Sequence, residues 1–200
     1  MNLRTLRIAL WVWVAIAAAA ALGAYAWQKS GLGGEVVASS FGQGDYSLET
    51  GAGKPFTPAS FTGAPTMLFF GYTHCPDVCP TTMAQMALWF HDLGPEGKAL
   101  RAVFVSVDPA RDTPAVLNDY VHAVSDRITG VTGTQAEIDK IEKAWGVYAK
   151  KVPLTGSDYS MDHTATVYLL DSKGHFQGTI AYQEDDATAV QKLRNLVAKG

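Results

Sequence analysis

The sequence TMLFFGYTHCPDVCPTT occupies residues 66–82 and holds both cysteines of the chain. Its first five residues are a continuous apolar run, which predicts a strand that is buried on both faces. Pro80 is well placed as the first residue of a helix, since a proline there costs no hydrogen bond. We therefore expect Cys75 and Cys79 on a strand-to-helix turn, where the helix N-terminus favours thiolate over thiol.

Patterns of strand and helix alternate through the rest of the chain. Apolar runs predict further strands at 101–107, 128–131, 148–152, 164–170 and 176–181. Helical spacing predicts helices at 80–93, 114–124, 134–145 and 186–197. Caps are expected at Thr113, at Asp185 or Asp186, and in a capping box formed by Thr134 and Glu137.

Two stretches have weaker patterns. Residues 46–48 and 56–61 predict an irregular hairpin that covers one end of the sheet, and the polar stretch 155–162 is interpreted as a loop. The turn signal at 171–174 joins the last two strands into a hairpin. Strands that alternate with helices and close with a hairpin and a helix predict an α/β, thioredoxin-like domain with an N-terminal β-hairpin extension and inserted elements.

The N-terminus has the pattern of a membrane anchor. Arg4 and Arg7 precede residues 8–27, twenty residues without a formal charge, which is long enough to cross a bilayer. The arginines predict a cytoplasmic N-terminus and a domain on the other side. A cleaved signal peptide is the alternative, because residues 24–26 read Ala-Tyr-Ala, although the length favours an uncleaved anchor. The predicted organisation is an anchor, a linker rich in Gly and Ser, and one domain: 1–27, 28–44 and 45–200.

Charge and compartment limit the classes of function. The chain has a formal net charge of −3, and the residues after the anchor carry 14 basic and 19 acidic side chains. A mildly acidic domain without a basic stripe argues against nucleic-acid binding. Export places the cysteines in an oxidising compartment, where a structural disulfide is the default expectation.

The spacing of the cysteines permits both redox and metal chemistry. Thioredoxin has two residues between its redox cysteines, whereas Cys75 and Cys79 have three between them. A pair about one helical turn apart can form a disulfide with some backbone adjustment. Reduced, it can present two sulfurs to one soft metal ion, Cu(I) or Zn(II), and a third ligand is then needed.

Histidines and methionines are the candidates for that third ligand. His163 is preferred, because it opens a predicted strand and follows Asp162, which could accept a hydrogen bond from its ring. His74 competes, but adjacent residues at a strand end point to opposite faces. Met83 and Met86 are interpreted as core residues rather than thioether ligands. A histidine at such a junction is more often structural, so ligation stays open on the residues alone.

A resemblance to a known family bears on this choice. The stretch 71–82, with CPDVCP at 75–80, resembles the signature of the SCO/SenC family of membrane-anchored copper proteins. Two further blocks are similar to that family, at 107–114 and 162–171. The resemblance implies that Cys75, Cys79 and His163 bind one copper ion, as Cu(I) or Cu(II), on a thioredoxin-like scaffold.

The resemblance also implies partners and a location. The family delivers copper to the binuclear copper site of cytochrome c oxidase subunit II, or keeps the cysteines of that site reduced. Another copper chaperone or a thiol-disulfide reductant would be a further partner. The expected location is the inner (cytoplasmic) membrane, with a single pass and the domain on the periplasmic side. In the matched blocks, Asp77, Asp108 and Asp112 are interpreted as shaping the loop or docking a partner, and Arg111 as pairing with a neighbouring acid or contacting a partner.

Other functions compete with a metallochaperone. A thiol-disulfide oxidoreductase would use one cysteine of the pair Cys75 and Cys79 to attack a partner disulfide and the other to resolve it, so enzymatic activity stays open. A peroxiredoxin-like peroxidase is disfavoured, because Leu68 and Tyr72 stand where that class has a proline and a threonine. A permanent disulfide without chemistry is the remaining alternative.

Overall fold

The computed structural model of the chain describes residues 2–30, 41–156 and 158–199. It falls into two units, residues 1–40 and residues 41–200. In the first unit α1 spans Leu3–Ser30, and its apolar part, Arg7–Ala26, is long enough to cross a membrane. Of the predicted linker, residues 31–40 lie outside the described residues.

The second unit contains the strands and the remaining helices. Its described strands are β1 Leu48–Thr50, β2 Pro55–Phe56, β3 Thr66–Gly71, β4 Arg101–Ser106, β5 Ile128–Thr132, β6 Ala149–Pro153, β7 Tyr159–His163, β8 Val167–Leu170 and β9 Phe176–Ile180. Its described α-helices are α2 Val78–Leu93, α3 Pro114–His122, α4 Gln135–Ala144 and α5 Asp186–Lys199. Short 3-10 helices are found at Pro58–Phe61 and Gly94–Ala99.

The main sheet has the order β2-β1-β5-β4-β3-β8-β9. Strands β3, β4 and β5 are parallel, β8 runs antiparallel to β3, and β9 runs antiparallel to β8. The portion β4-β3-β8-β9, with α2 and α5 packed against each other, is a thioredoxin-like core. The predicted fold class is therefore confirmed.

Burial explains why this sheet forms. Every residue of β3 is buried, as expected for a continuous apolar run in the centre of a sheet covered on both faces. The apolar positions of α2, spaced at about one helical turn, pack on this sheet. Met83 and Met86 are completely buried among them, so their interpretation as core residues is confirmed.

Helix α2 begins earlier than the sequence predicts. Its first residue is Val78 and its N-cap is Asp77, so the prediction that Pro80 begins the helix is wrong. Pro80 lies in the first turn, where its missing N–H still costs no hydrogen bond. As a result Cys79 lies inside the first turn of the helix, and Cys75 lies just before it.

The stretch 155–162 is not a loop throughout. Its second half belongs to β7, which pairs with β6 in a separate two-stranded sheet. Side chains of β7 are half-buried or exposed, so no apolar alternation marks this strand in the sequence, whereas β6 matches the strand predicted at 148–152 to within one residue. The expectation that His163 opens a strand is also wrong, because it ends β7 and residues 164–166 separate it from β8.

The N-terminal hairpin and the capping box also differ from prediction. The hairpin β1–β2 extends the edge of the sheet by pairing with β5, instead of covering one end. Thr134 accepts the N–H of Glu137 at 3.4 Å and so caps α4. The Glu137 carboxylate accepts the backbone N–H of Ser47 at 2.6 Å instead, so the box does not close. Thr113 and Asp185 act as the predicted caps.

Candidate metal centre

Three segments of the chain meet at one edge of the main sheet. The parallel strands β3 and β4 end together, with Gly71 opposite Ser106. Strand β8 is antiparallel to β3 and begins there, with Val167 opposite Phe69. The topology therefore brings together the cysteine turn after β3, the loop after β4, and the residues that precede β8.

The structure places Cys75, Cys79 and His163 side by side at this edge. Their two Sγ atoms and a ring nitrogen of His163 all lie within 4.8 Å of one another. The Nε2 atom of His163 is 3.3 Å from Sγ of Cys79. Both cysteines are free thiols, with Cys79 completely buried and Cys75 half-buried.

The ring of His163 is oriented for ligation through Nε2. Its Nδ1 lies 3.1 Å from the carbonyl oxygen of Thr164. Because a carbonyl only accepts, Nδ1 is the nitrogen that carries the hydrogen in the neutral ring, and Nε2 is then the nitrogen with the free lone pair. The ring also packs edge-on against Phe69 and Tyr72, at centroid distances of 6.1 and 5.8 Å. The acceptor is thus Thr164 rather than Asp162, the residue that the sequence suggests.

The two cysteines differ in their protonation. The hydrogen bond from the Cys79 side chain lowers the pKa of Cys75 to about 4, and backbone N–H groups of Asp77 and Cys79 act in the same direction. The Cys79 N–H lies 3.4 Å from the Cys75 sulfur, at the N-terminus of α2. The interaction with Cys75 and burial raise the pKa of Cys79. At neutral pH the site therefore holds one thiolate and one thiol.

A proton count follows from this difference. Binding of Cu(I) near neutral pH is expected to release about one proton per ion, because Cys79 must lose its proton and Cys75 has already lost it. The affinity should accordingly fall about tenfold for each unit of pH lowered from about pH 9 to about pH 7. Calorimetry in buffers of different ionisation enthalpy measures the number of protons released for each copper ion bound. Release of two protons would contradict the thiolate state of Cys75.

A glycine permits the close packing of Cys79. A Cβ atom added at Gly71 would lie 2.8 Å from the Cys79 sulfur and 2.9 Å from a ring carbon of Phe104. No side chain fits between the end of β3 and the first turn of α2 without displacing one of these groups. Gly71 therefore allows the buried sulfur to lie directly against the strand.

Asp112 connects the cysteine turn to the end of β4. Its carboxylate is completely buried and accepts hydrogen bonds from the backbone N–H and the hydroxyl of Thr73, at 3.1 and 2.6 Å. The hydroxyl of Ser106 donates to the same carboxylate at 2.6 Å. This aspartate thus shapes the loop, one of the two roles expected for it, while Asp77 lies exposed at the start of α2.

The loop after β4 also contacts the hairpin β6–β7. Asp108 is buried and forms an ion pair with Arg111. It also accepts a hydrogen bond from the hydroxyl of Tyr159 at 2.8 Å. The ion pair fits the structural interpretation of Arg111. Tyr159 was missed by reasoning on the sequence, although its position four residues before His163 could have drawn attention to it.

The other histidines lie outside this cluster. His74 points to solvent, with Nδ1 3.0 Å from the hydroxyl of Thr73 and 3.9 Å from Asp112. This is consistent with the expectation that His74 and Cys75 face opposite directions. His91 is exposed near the end of α2, His122 ends α3 and His175 precedes β9, and none of the three is among the grouped ligand atoms.

The donor set fits a soft metal ion. Two thiolate sulfurs and one neutral imidazole nitrogen are donors that suit Cu(I) or Zn(II) and disfavour hard cations. Because Cys75 is only half-buried, the group can be reached from solvent on its side. The arrangement can therefore bind a soft ion and still admit a ligand from another molecule.

The comparisons with known proteins point to one family. The SCO1/SenC family model matches residues 37–198. The protein SCO1, mitochondrial, of Saccharomyces cerevisiae is 35% identical over 153 residues, which cover 75% of this chain and 52% of that protein. This chain thus spans about half the length of the curated relatives it matches.

Solved structures agree with this result. The structure of Bradyrhizobium japonicum ScoI with copper bound is 40% identical, with a TM-score of 0.70, and the match covers 77% of this chain and 99% of that one. Yeast Sco1 with copper bound is 34% identical, with a TM-score of 0.72, covering 79% of this chain and 90% of that one.

Proposed function

Since the chain belongs to the SCO1/SenC family, we propose that it binds one copper ion through Cys75, Cys79 and His163 and delivers it during assembly of cytochrome c oxidase. The observation that carries the proposal is the convergence of two sulfurs and a ring nitrogen within 4.8 Å. Two related proteins of known structure have copper bound. The ion is cargo here, taken up from one protein and given to another.

The protonation of the site suits uptake. Cys75 offers a half-exposed thiolate, which is the form of cysteine that binds metals. Cys79 then loses its proton to become the second ligand, and His163 presents Nε2 without rearranging its hydrogen bond to Thr164. Release follows by ligand exchange, in which thiolates of the acceptor replace these ligands from the side of Cys75.

We propose as acceptor the binuclear copper site of cytochrome c oxidase subunit II, with another copper chaperone as donor. We also propose that α1 anchors the chain in the inner membrane by a single pass, that residues 31–40 link it to the second unit, and that residues 41–200 form the periplasmic copper-binding domain. The apolar stretch Arg7–Ala26 of α1 supports the anchor.

The test is a transfer experiment. The full chain in detergent is loaded with one equivalent of Cu(I) and mixed with the metal-free, reduced copper domain of subunit II. We expect copper to appear in the acceptor faster than it does from a copper–glutathione complex at equal copper concentration. Transfer no faster than from glutathione would refute delivery by this chain.

The reactivity of Cys75 supports a second candidate function, thiol-disulfide exchange. A half-exposed cysteine whose pKa lies at about 4, beside a buried one, is arranged as an attacking thiolate and a resolving thiol. The Cys75 thiolate would attack a disulfide of the partner and form a mixed disulfide, releasing one partner thiolate. Cys79 would then give its proton to the partner thiolate already released and attack the Cys75 sulfur, which releases the second partner thiolate and leaves Cys75–Cys79 oxidised.

His163 separates the two functions. The variant His163→Ala should still reduce an oxidised subunit II domain, since neither exchange step uses the imidazole. The same variant should bind copper more weakly than the parent. If His163→Ala reduces the partner normally and the parent fails in the transfer experiment, the oxidoreductase is the correct function.

A further inference from the structure

The hairpin that carries His163 pairs with no strand of the main sheet. Strands β6 and β7 pair only with each other in the described residues, with Ala149 opposite His163 at one end and Pro153 opposite Tyr159 at the other. The pairing of β8 with β3 brings His163 near the cysteine turn, because only residues 164–166 separate His163 from β8. The hairpin itself has no backbone pairing with the main sheet in the described residues, so side-chain contacts with the main domain are needed to set the final position of His163.

Tyr159 makes several of these contacts. Its hydroxyl donates to the buried carboxylate of Asp108 at 2.8 Å, and its carbonyl accepts a hydrogen bond from Nη1 of Arg111 at 3.0 Å. The guanidinium carbon of Arg111 lies 3.7 Å from the centroid of its ring. The ammonium of Lys151 lies 3.5 Å from the same centroid. Two like charges this close to one centroid fit only on opposite faces, so the ring is held between them.

Arg111 continues the connection to the cysteine turn. Its guanidinium carbon also lies 5.7 Å from the ring centroid of Tyr72, the residue that follows β3. The Tyr72 ring in turn packs edge-on against the imidazole of His163. Arg111 is thus packed between a tyrosine of the hairpin and a tyrosine of the cysteine turn, which are the two parts of the candidate site.

We infer that Tyr159 and Arg111 are positioning residues that hold His163 at ligand distance from Cys75 and Cys79. Neither residue supplies a ligand atom to the cluster. They act through the hairpin and through Tyr72, so their loss should affect the imidazole and leave the cysteine pair in place. This inference deepens the proposed function and rests on it for its copper readouts.

The size of the effect follows from other metal sites. Removing a group that orients a metal ligand costs about 10- to 100-fold in affinity. We expect Tyr159→Leu to lower the affinity for copper by this factor. The nitrogen hyperfine signal of the imidazole in the spectrum of bound Cu(II) should weaken in the same variant, while the absorption band from thiolate to copper persists.

Conservative variants separate positioning from general destabilisation. Tyr159→Phe keeps the ring between the two cations and loses only the hydrogen bond to Asp108, so it should recover most of the affinity. Arg111→Lys keeps the charge but loses the planar group that stacks on the Tyr159 ring and donates to the Tyr159 carbonyl. It should lower the copper affinity as Tyr159→Leu does, although the Tyr159 ring is still present. The matched control is Tyr148→Leu, the same change at an exposed tyrosine that directly precedes β6.

Amide hydrogen exchange of the metal-free protein gives a readout that does not depend on copper. In Tyr159→Leu and Arg111→Lys, the amides of β6 and β7 should exchange at least about tenfold faster than in the parent. Amides of β3 and β4 should exchange at the parental rate, and Tyr148→Leu should behave as the parent throughout.

The outcomes distinguish this inference from the proposed function. If the parent binds copper and both Tyr159→Leu and Arg111→Lys keep its affinity and its nitrogen signal, the positioning role is refuted and the chaperone stands. If the parent binds no copper, the proposed function fails, and unchanged exchange in β6 and β7 would then refute positioning as well. Faster exchange confined to the hairpin, with recovery in Tyr159→Phe, supports it where the copper affinity of the two variants also falls or where the parent binds no copper.

Discussion

Replacing Cys79 by Ser is expected to lower the affinity for Cu(I) by about 100- to 1000-fold. Structural sites with four thiolate or imidazole ligands hold Zn(II) with about 10–16 kcal/mol, or about 2.5–4 kcal/mol for each ligand. Since about 1.4 kcal/mol corresponds to a factor of ten, the loss of one thiolate has this size. Serine keeps nearly the volume of the buried side chain, so the fold should persist. A competition titration with a Cu(I) chelator measures the change.

Met83→Leu is the matched control for that titration. Met83 is a completely buried sulfur-containing residue of the same helix, one turn from Cys79, and it belongs to the core. Leucine has nearly the same volume and removes the thioether, so the copper affinity should remain at the parental value. Equal affinity of Cys79→Ser and the parent, or a large loss in Met83→Leu, would show that the ligands have been misassigned.

Replacing Asp112 by Ala is expected to lower the free energy of unfolding by about 3–5 kcal/mol. The buried carboxylate accepts hydrogen bonds from the backbone and side chain of Thr73 and from Ser106. Each buried donor left without an acceptor costs about 1–3 kcal/mol, and a methyl group replaces none of these bonds. Urea denaturation followed by circular dichroism measures the loss.

Asp112→Asn gives the graded control. An amide retains one acceptor oxygen and can keep part of the hydrogen-bond network. The free energy of unfolding of Asp112→Asn should therefore fall by about half as much as that of Asp112→Ala. A loss below about 1 kcal/mol in Asp112→Ala would mean that the hydrogen bonds between the cysteine turn and the end of β4 contribute little to stability.

Much of the fold could be predicted because its central strands have a strong sequence signal. The apolar run of β3 is typical of a strand that is buried on both faces. The proline after the second cysteine is typical of a first helical turn, because an N–H is not needed there. They place both cysteines where β3 leads into α2, although Cys79 lies inside the first turn of the helix and only Cys75 lies before it. The order of elements around them then predicts the thioredoxin-like core.

The candidate site was only partly predictable. The position of His163 depends on β8 running antiparallel to β3, a long-range pairing that no local pattern reveals. Strand β7 has half-buried and exposed side chains, so its polar composition resembles that of a loop. The contact between Arg111 and Tyr159 joins residues 48 positions apart. Likewise, the Glu137 carboxylate accepts the N–H of the distant Ser47 instead of closing the predicted capping box with Thr134.

Copper-edge X-ray absorption of the loaded, reduced chain tests the central claim most directly. We expect two sulfur ligands and one nitrogen ligand for each copper ion, as the cluster of Cys75, Cys79 and His163 requires. In His163→Ala the nitrogen ligand should be lost while both sulfur ligands remain. Copper that is bound without sulfur ligands, or a spectrum that does not change in His163→Ala, would contradict the assignment of this site.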